Sequence, residues 1–266
     1  VFPHGKHKEG LAVAEKIRAK GYRVFLQAAN TMAYSDADLE DLVEAVNAFS
    51  PVALSVVDTF GAMYEEDLER IVRVIDAKLD KAIGLGFHSH NNQQLSFALT
   101  IHFVNLLESS GRTVMVDASL CGMGRGAGNA TTELVTSYLN RKKHGNYDLD
   151  AIMDAIDTYM EPFRQTYTWG YSTPYFIAGL YQCHVNNIAY LQRNHRANAR
   201  DMRNIIASLS QGERRKYDYD LLERRFLENQ SRHVDDEAAI RALRKAFGER
   251  TILLIAPGRS VVDEMQ

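Results

Sequence analysis

The sequence predicts an α/β protein built on a TIM-type (β/α) barrel and followed by a helical extension. Three observations predict it. Short apolar strands alternate with amphipathic helices over the first 145 residues, the pattern of a parallel sheet under helical cover. Those strands are apolar throughout, as strands buried on both faces are. Polar residues then fall at the C-terminal ends of four successive strands: Asn30, Asp58 with Thr59, His88 with His90, and Asp117 with Ser119. In a barrel such ends converge on one mouth, whereas a doubly wound sheet would spread them along a crevice.

Each element has a local reason. Over residues 8–20, Leu11, Ala14 and Ile17 share one helical face, and "RVFLQAAN" (23–30) follows as a buried strand. Ser35 has the character of an N-cap ahead of Leu39, Leu42, Val43 and Val46, spaced i, i+3, i+4 and i+7. "ALSVVDT" (53–59) is the second strand, and Leu68, Ile71, Val72, Ile75 and Leu79 mark the next helix. The run through "AIGLGFHSH" is the third strand and leads into a helix carrying Leu95, Ala98, Leu99 and Leu106. "TVMVDASL" (113–120) is the fourth, before a glycine-rich loop and a helix over 132–139.

Beyond about residue 145 only helical patterns follow. They run through Leu149 to Met160, then 174–192, 201–209, 218–229 and 235–247, with a break at "GYSTP". Residues 1–145 thus read as barrel, 146–248 as a helical extension and 249–266 as the start of a further α/β unit. The chain begins at "VFPHGKHKEG" without Met, and ends where the apolar run 251–255 meets Pro257-Gly258. Both ends read as those of a segment of a longer chain.

Composition narrows the class. The 266 residues are 45% hydrophobic and 24% charged, with net charge −3, so nothing points to nucleic acid as a partner. No apolar run reaches membrane-spanning length, and two cysteines suit a reducing compartment. The expectation is a cytoplasmic protein away from membranes.

"GFHSHNN" (86–92) carries the first chemical signal. On a strand, residues i and i+2 share a face, so His88 and His90 aim at one point. Two neutral imidazoles so placed suit a divalent metal. Asp58 and Asp117 are ligands, supports of ligands, or caps of the loops that follow them. "CGMGRGAGNATTEL" (121–134) is the second signal, with four glycines that let backbone approach closely. Here Asn129 reads as an N-cap with Glu133 in the first helical turn. The spacing matches no phosphate-loop or dinucleotide fingerprint. Cys121 is a small loop residue or, less simply, a nucleophile without a visible base.

Together "GFHSHNNQQLSFAL", "VDASLCGMGRGAGNATTELV" and "VVDTFGAMYEEDL" (56–68) resemble the DRE-TIM metallolyase superfamily of HMG-CoA lyase, 4-hydroxy-2-oxovalerate aldolase and 2-isopropylmalate synthase. The aldolase-like branch is the nearest, and "PYFIAGLYQCHVNNIAYL" (174–191) resembles its helical extension. The resemblance makes His88 and His90 metal ligands on strand seven and Asn129 a third candidate. It implies a divalent ion, Mn²⁺ first, with Mg²⁺, Co²⁺ and Zn²⁺ as alternatives. Asp58 and Tyr181 then stand as catalytic candidates, and Thr59, Asn30 and Gly126 as substrate-binding ones; loop capping and helix packing are the plainer roles for Asp58 and Tyr181. Counting back from His88, the strands present are five to eight, with "VFPH" closing strand four. The family's strand-one Asp and Arg, the metal ligand and the enolate-stabilising cation, are not found.

The implied reaction is retro-aldol cleavage of a small 4-hydroxy-2-oxo acid to pyruvate and an aldehyde, in a homo-oligomer formed through the helical extension. The alternatives are a Claisen-type synthase joining an acyl-CoA to a 2-oxo acid, and a silent barrel scaffolding a fused C-terminal domain. No general base is identified; His4 and His7 are candidates by position only. Taken alone, such an open barrel is expected to be inactive, to bind metal weakly and to associate through its strand edges.

Overall fold

The computed structural model describes residues 1–231, 236–248 and 250. Four parallel strands, β1 (Phe25–Ala28), β2 (Ala53–Asp58), β3 (Gly84–Ser89) and β4 (Val114–Val116), lie side by side in chain order. Between them run α1 (His7–Arg18, ahead of β1), α2 (Asp36–Phe49), α3 (Glu65–Lys78) and α4 (Ser96–Leu106), and α5 (Thr132–Arg141) follows β4. Order without reversal, each strand joined to the next through a helix, is the winding of a βα barrel; a doubly wound sheet reverses at a switch point. The sheet is an arc of such a barrel. Phe2 adds one parallel bridge to Ala28 on the far side of β1, in line with "VFPH" as the end of a strand.

The arc has two unlike faces. Leu26, Ala28, Leu54, Val56, Leu85 and Phe87 point into one apolar core with Leu39, Leu42, Val46, Leu68, Ile71, Ile75, Leu99 and Phe103 from α2, α3 and α4. The alternate residues stand on the opposite face, where Gln27, Ser55, Gly86 and Met115 lie in register across the four strands. His88 continues that face beside Val57. A Cβ on Gly86 would overlap the Ser55 hydroxyl and stand 3.1 Å from the Ser55 Cβ, so a side chain there requires Ser55 to turn aside.

Helix α2 starts where its sequence dictates. Ser35 Oγ accepts from the Asp38 N–H at 3.1 Å while the Asp38 carboxylate accepts from the Ser35 N–H at 2.9 Å, a reciprocal cap. Ser35→Ala is expected to cost about 1 kcal/mol, measurable as a lower urea midpoint at unchanged slope; an unchanged midpoint would mean the cap contributes nothing.

Three expectations are corrected. Ile17 is 43% exposed although it shares a face with Leu11 and buried Ala14, because α2 covers only part of α1. Strand β4 ends at Val116, not at residue 120: one more ladder bond, Asp117 N–H to the Phe87 carbonyl at 3.0 Å, precedes a turn of 3₁₀ helix over Leu120–Gly122. The helix expected over 174–192 is two, α8 (Thr173–Leu180) and α9 (Val185–His195), parted at Gln182 with φ 49°. No Gly or Pro marks that break. It is held from outside, by Asn187 Nδ2 donating to the carbonyls of Arg214 and Lys216 at 3.2 and 2.8 Å.

The remaining helices are α6 (Leu149–Ala155), a π turn over Ile156–Met160, α7 (Glu161–Arg164), α10 (Ala199–Ser208), α11 (Gln211–Arg215), α12 (Tyr219–Ser231) and α13 (Glu237–Phe247). α8, α9, α10 and α12 share a second apolar core around Ile177, Ile188, Leu191, Ile205, Ile206 and Leu222. The strand expected at 251–255 and the unit beginning at 249 lie outside the described residues, apart from Arg250. No described helix is long and apolar enough to cross a membrane.

Candidate functional site

The C-terminal ends of the four strands gather the polar residues into one network. His88 and His90 stand with ring centroids 5.2 Å apart, as same-face strand neighbours should. His88 Nδ1 lies 3.0 Å from Asp117 Oδ2, and Gln27 Nε2 donates to that same oxygen at 2.7 Å. A carboxylate at Nδ1 draws the ring proton there and leaves the Nε2 lone pair free, the arrangement that supports a metal-ligating histidine. Asp117 is therefore a support of His88. Burial first, then the His88 imidazole beside it, pushes His90 down to about 4. His90 is neutral near pH 7, with a lone pair to offer.

The glycine loop brings a third donor. Asn129 pairs with His90 as an isolated antiparallel bridge, and the Asn91 N–H donates to the Gly128 carbonyl at 2.8 Å. Asn129 is not the N-cap of α5, a position that Thr131 takes. Its Nδ2 instead donates to the Met123 carbonyl at 3.0 Å, while its Oδ1 is buried without a hydrogen-bond partner among the described residues. Glu133, in the first turn of α5, reaches back to accept from the Cys121 N–H at 3.1 Å, so the helix start ties down the loop.

Among the described residues no three His, Cys, Asp or Glu side chains are gathered as a metal site. The donors present are two imidazoles and the unsatisfied Asn129 amide oxygen. A buried carbonyl oxygen without a partner is costly. Together with the two imidazoles it makes a donor set that fits a divalent first-row cation, whose ligands are of these types.

The other expected residues fall in different places. The Thr59 hydroxyl accepts from the Asn30 N–H at 2.6 Å, with Asn30 in the left-handed region at φ 54°, so these two are joined at the ends of β1 and β2. Asp58 is 1% exposed, and its carboxylate accepts from the N–H groups of Ala62 and Met63 at 2.9 and 3.2 Å. Burial raises it to about 6 against the pull of those bonds. Tyr181 packs on the helical core with the Arg214 guanidinium 5.1 Å from its ring centre. His4 and His7 face α2, at 3.6 Å from Asp38 and 3.2 Å from Asp41. No described contact brings Tyr181, His4 or His7 to His88.

Two residues that sequence reasoning left without a role hold the network. Gln27 had a signal, a polar side chain inside an apolar strand on the face opposite Leu26 and Ala28. Asn92 had none beyond following the histidines. It is 2% exposed, donating to the Phe60 carbonyl at 2.9 Å and accepting from the Ala127 N–H at 3.0 Å. One side chain thus fastens the loop after β2 to the glycine loop. The helical extension closes over the same loops: a Cβ on Gly179 would stand 3.0 Å from the Gly61 carbonyl oxygen, and Trp169 Nε1 donates to the Cys121 carbonyl at 2.9 Å.

Comparison with known proteins identifies the family to which the chain is similar. The profile of a family described as HMGL-like matches residues 6–158. Oxaloacetate decarboxylase of Mycobacterium tuberculosis is 30% identical over 142 residues, 53% of this chain and 40% of that protein. 4-Hydroxy-2-oxovalerate aldolase of Thermomicrobium roseum is 30% identical over 156 residues, 55% of this chain and 42% of that one. The chain thus spans about two fifths of the length of these relatives. Among solved structures, the N-terminal domain of a putative aldolase from Bacteroides vulgatus superposes with a TM-score of 0.62 at 23% identity, covering 73% of this chain and 63% of that one.

Proposed function

The chain belongs to the HMGL-like family, and from that premise we propose that the intact protein is a divalent-metal-dependent carbon–carbon lyase. Its reaction in this reading is retro-aldol cleavage of a small 4-hydroxy-2-oxo acid to pyruvate and an aldehyde. The observation that carries the proposal is the donor set at the strand ends: neutral His90, His88 steered by Asp117, and the unpaired Asn129 Oδ1. His88, His90 and Asn129 would hold the ion. A bound divalent cation supplies Lewis-acid stabilisation of the negative charge that develops on a 2-oxo group as the neighbouring bond breaks.

The chain's own residues do the positioning. Asp117 and Gln27 fix the His88 ring and its tautomer. Asp58 holds the loop 59–63 through the Ala62 and Met63 N–H groups, and its carbonyl lies 3.3 Å from the His90 N–H, so it acts on the site through backbone. In this reading Thr59, Asn30 and Gly126 would contact the substrate and Tyr181 would act from the helical extension. Residues 1–145 form the barrel part in this reading and 146–248 its helical cover.

With Mn²⁺, Mg²⁺ or Co²⁺ the intact protein is expected to release pyruvate from a member of a panel of 4-hydroxy-2-oxo acids, and a chelator should stop the release. Free CoA from an acyl-CoA and a 2-oxo acid, with no pyruvate from the panel, would replace this reading by the synthase one.

A further inference from the structure

A cavity of about 600 Å³ lies between the glycine loop and the helices α8, α9 and α12. Arg125 stands on its loop wall and Arg193 on its α9 wall. Neither guanidinium takes part in an ion pair among the described residues. Among the described residues no carboxylate lines the cavity, and Tyr175, Asn186 and Asn194 add hydrogen-bonding groups. Glu223, which meets the Tyr190 hydroxyl at 2.9 Å, is also engaged by His195 at 2.7 Å. Two guanidiniums without counter-charges around a wet cavity attract an oxyanion, which their planar forks can grip with paired hydrogen bonds.

Bare backbone joins this cavity to the strand ends. A Cβ on Gly124 would overlap the Asn129 side-chain amide, and one on Gly126 would come within 2.8 Å of Asn92 Oδ1. Both glycines line the cavity, so the loop that carries Asn129 forms one of its walls.

We propose that Arg125 and Arg193 bind a second oxyanion of the substrate, a terminal carboxylate or phosphate group, so that the substrate is a dianionic 2-oxo acid rather than one with a neutral tail. This rests on the lyase reading for the position of the 2-oxo acid end. Calorimetric titration of the intact, metal-loaded protein would test it with three unreactive ligands of one chain length: 2-oxopentanoate, 2-oxoglutarate and 2-oxo-4-phosphonobutanoate. At least one charged-tail ligand should bind ten-fold or more tightly than 2-oxopentanoate, and the tighter of the two names the group. The margin should shrink with added salt. R125M/R193M should abolish it, and R125K/R193K, which keeps charge without the fork, should retain part of it. Equal affinities in the parent protein, or a margin that survives R125M/R193M, would overturn the proposal. A margin without pyruvate release from any substrate would refute the lyase reading and leave the anion cavity standing. Pyruvate release without a margin would do the reverse.

Discussion

Replacing His88 and His90 together by alanine is expected to take the divalent metal content of the intact protein from about one ion per chain to none, by elemental analysis. The two imidazoles are the only nitrogen ligands in the proposed set, and Asn129 Oδ1 alone offers a single neutral oxygen. Turnover should fall by at least about 10³-fold, since the ion supplies several kcal/mol of charge stabilisation. Asp117→Asn separates support from ligation. It removes the carboxylate that accepts the His88 Nδ1 proton at 3.0 Å while leaving both rings in place. Its metal affinity should drop roughly 10- to 100-fold, the usual effect of losing a partner of a metal-bound histidine. Metal content unchanged in H88A/H90A would sink the assignment of the site.

Gly128→Ala should be the most damaging single change in the glycine loop. Gly128 holds φ +92°, and a Cβ there would overlap the Gly122 carbonyl oxygen, which is backbone and cannot turn aside. The same Gly122 carbonyl accepts from the Asn129 N–H at 3.0 Å, and the Gly128 carbonyl accepts from the Asn91 N–H. Relieving the clash therefore pulls apart the pairing that sets Asn129 beside His90. The cost is expected to be about 3 kcal/mol or more, or a fall of roughly 6–12 °C in Tm for a chain of this size. Weaker metal binding should accompany it. A Tm within about 2 °C of the parent would show that the loop relaxes without loss.

Much of the barrel part was legible because its signals are local. Period-3.6 apolar spacing placed α2 and α3 with buried Leu39, Leu42, Val43 and Val46, and Leu68, Ile71, Val72 and Ile75. Ser35 at the head of α2 announced its own cap. The His-x-His pair on a strand was legible too, because a period of two forces the rings onto one face. The helical extension was less so. The break at Gln182 has no proline or glycine at that position, and it is held by Asn187 reaching residues about 30 positions away.

The sequence alone named the candidate residues and put His88 and His90 on one strand face, since propensity, capping and side-chain period act within a few residues. Only the tertiary structure decided their employment. Parallel register set Gln27 and Asp117, 90 positions apart, on one oxygen path to His88. Folding of the glycine loop turned Asn129 from an expected helix cap into a residue bridged to His90 through backbone, with its Oδ1 buried and, among the described residues, unpaired. Packing of α9 against that loop put Arg193 across a cavity from Arg125. The physical reason is one of range: a hydrogen bond or an ion pair is made between atoms that meet in space, and the chain's own spacing says nothing of which distant partners the sheet will bring within 3 Å.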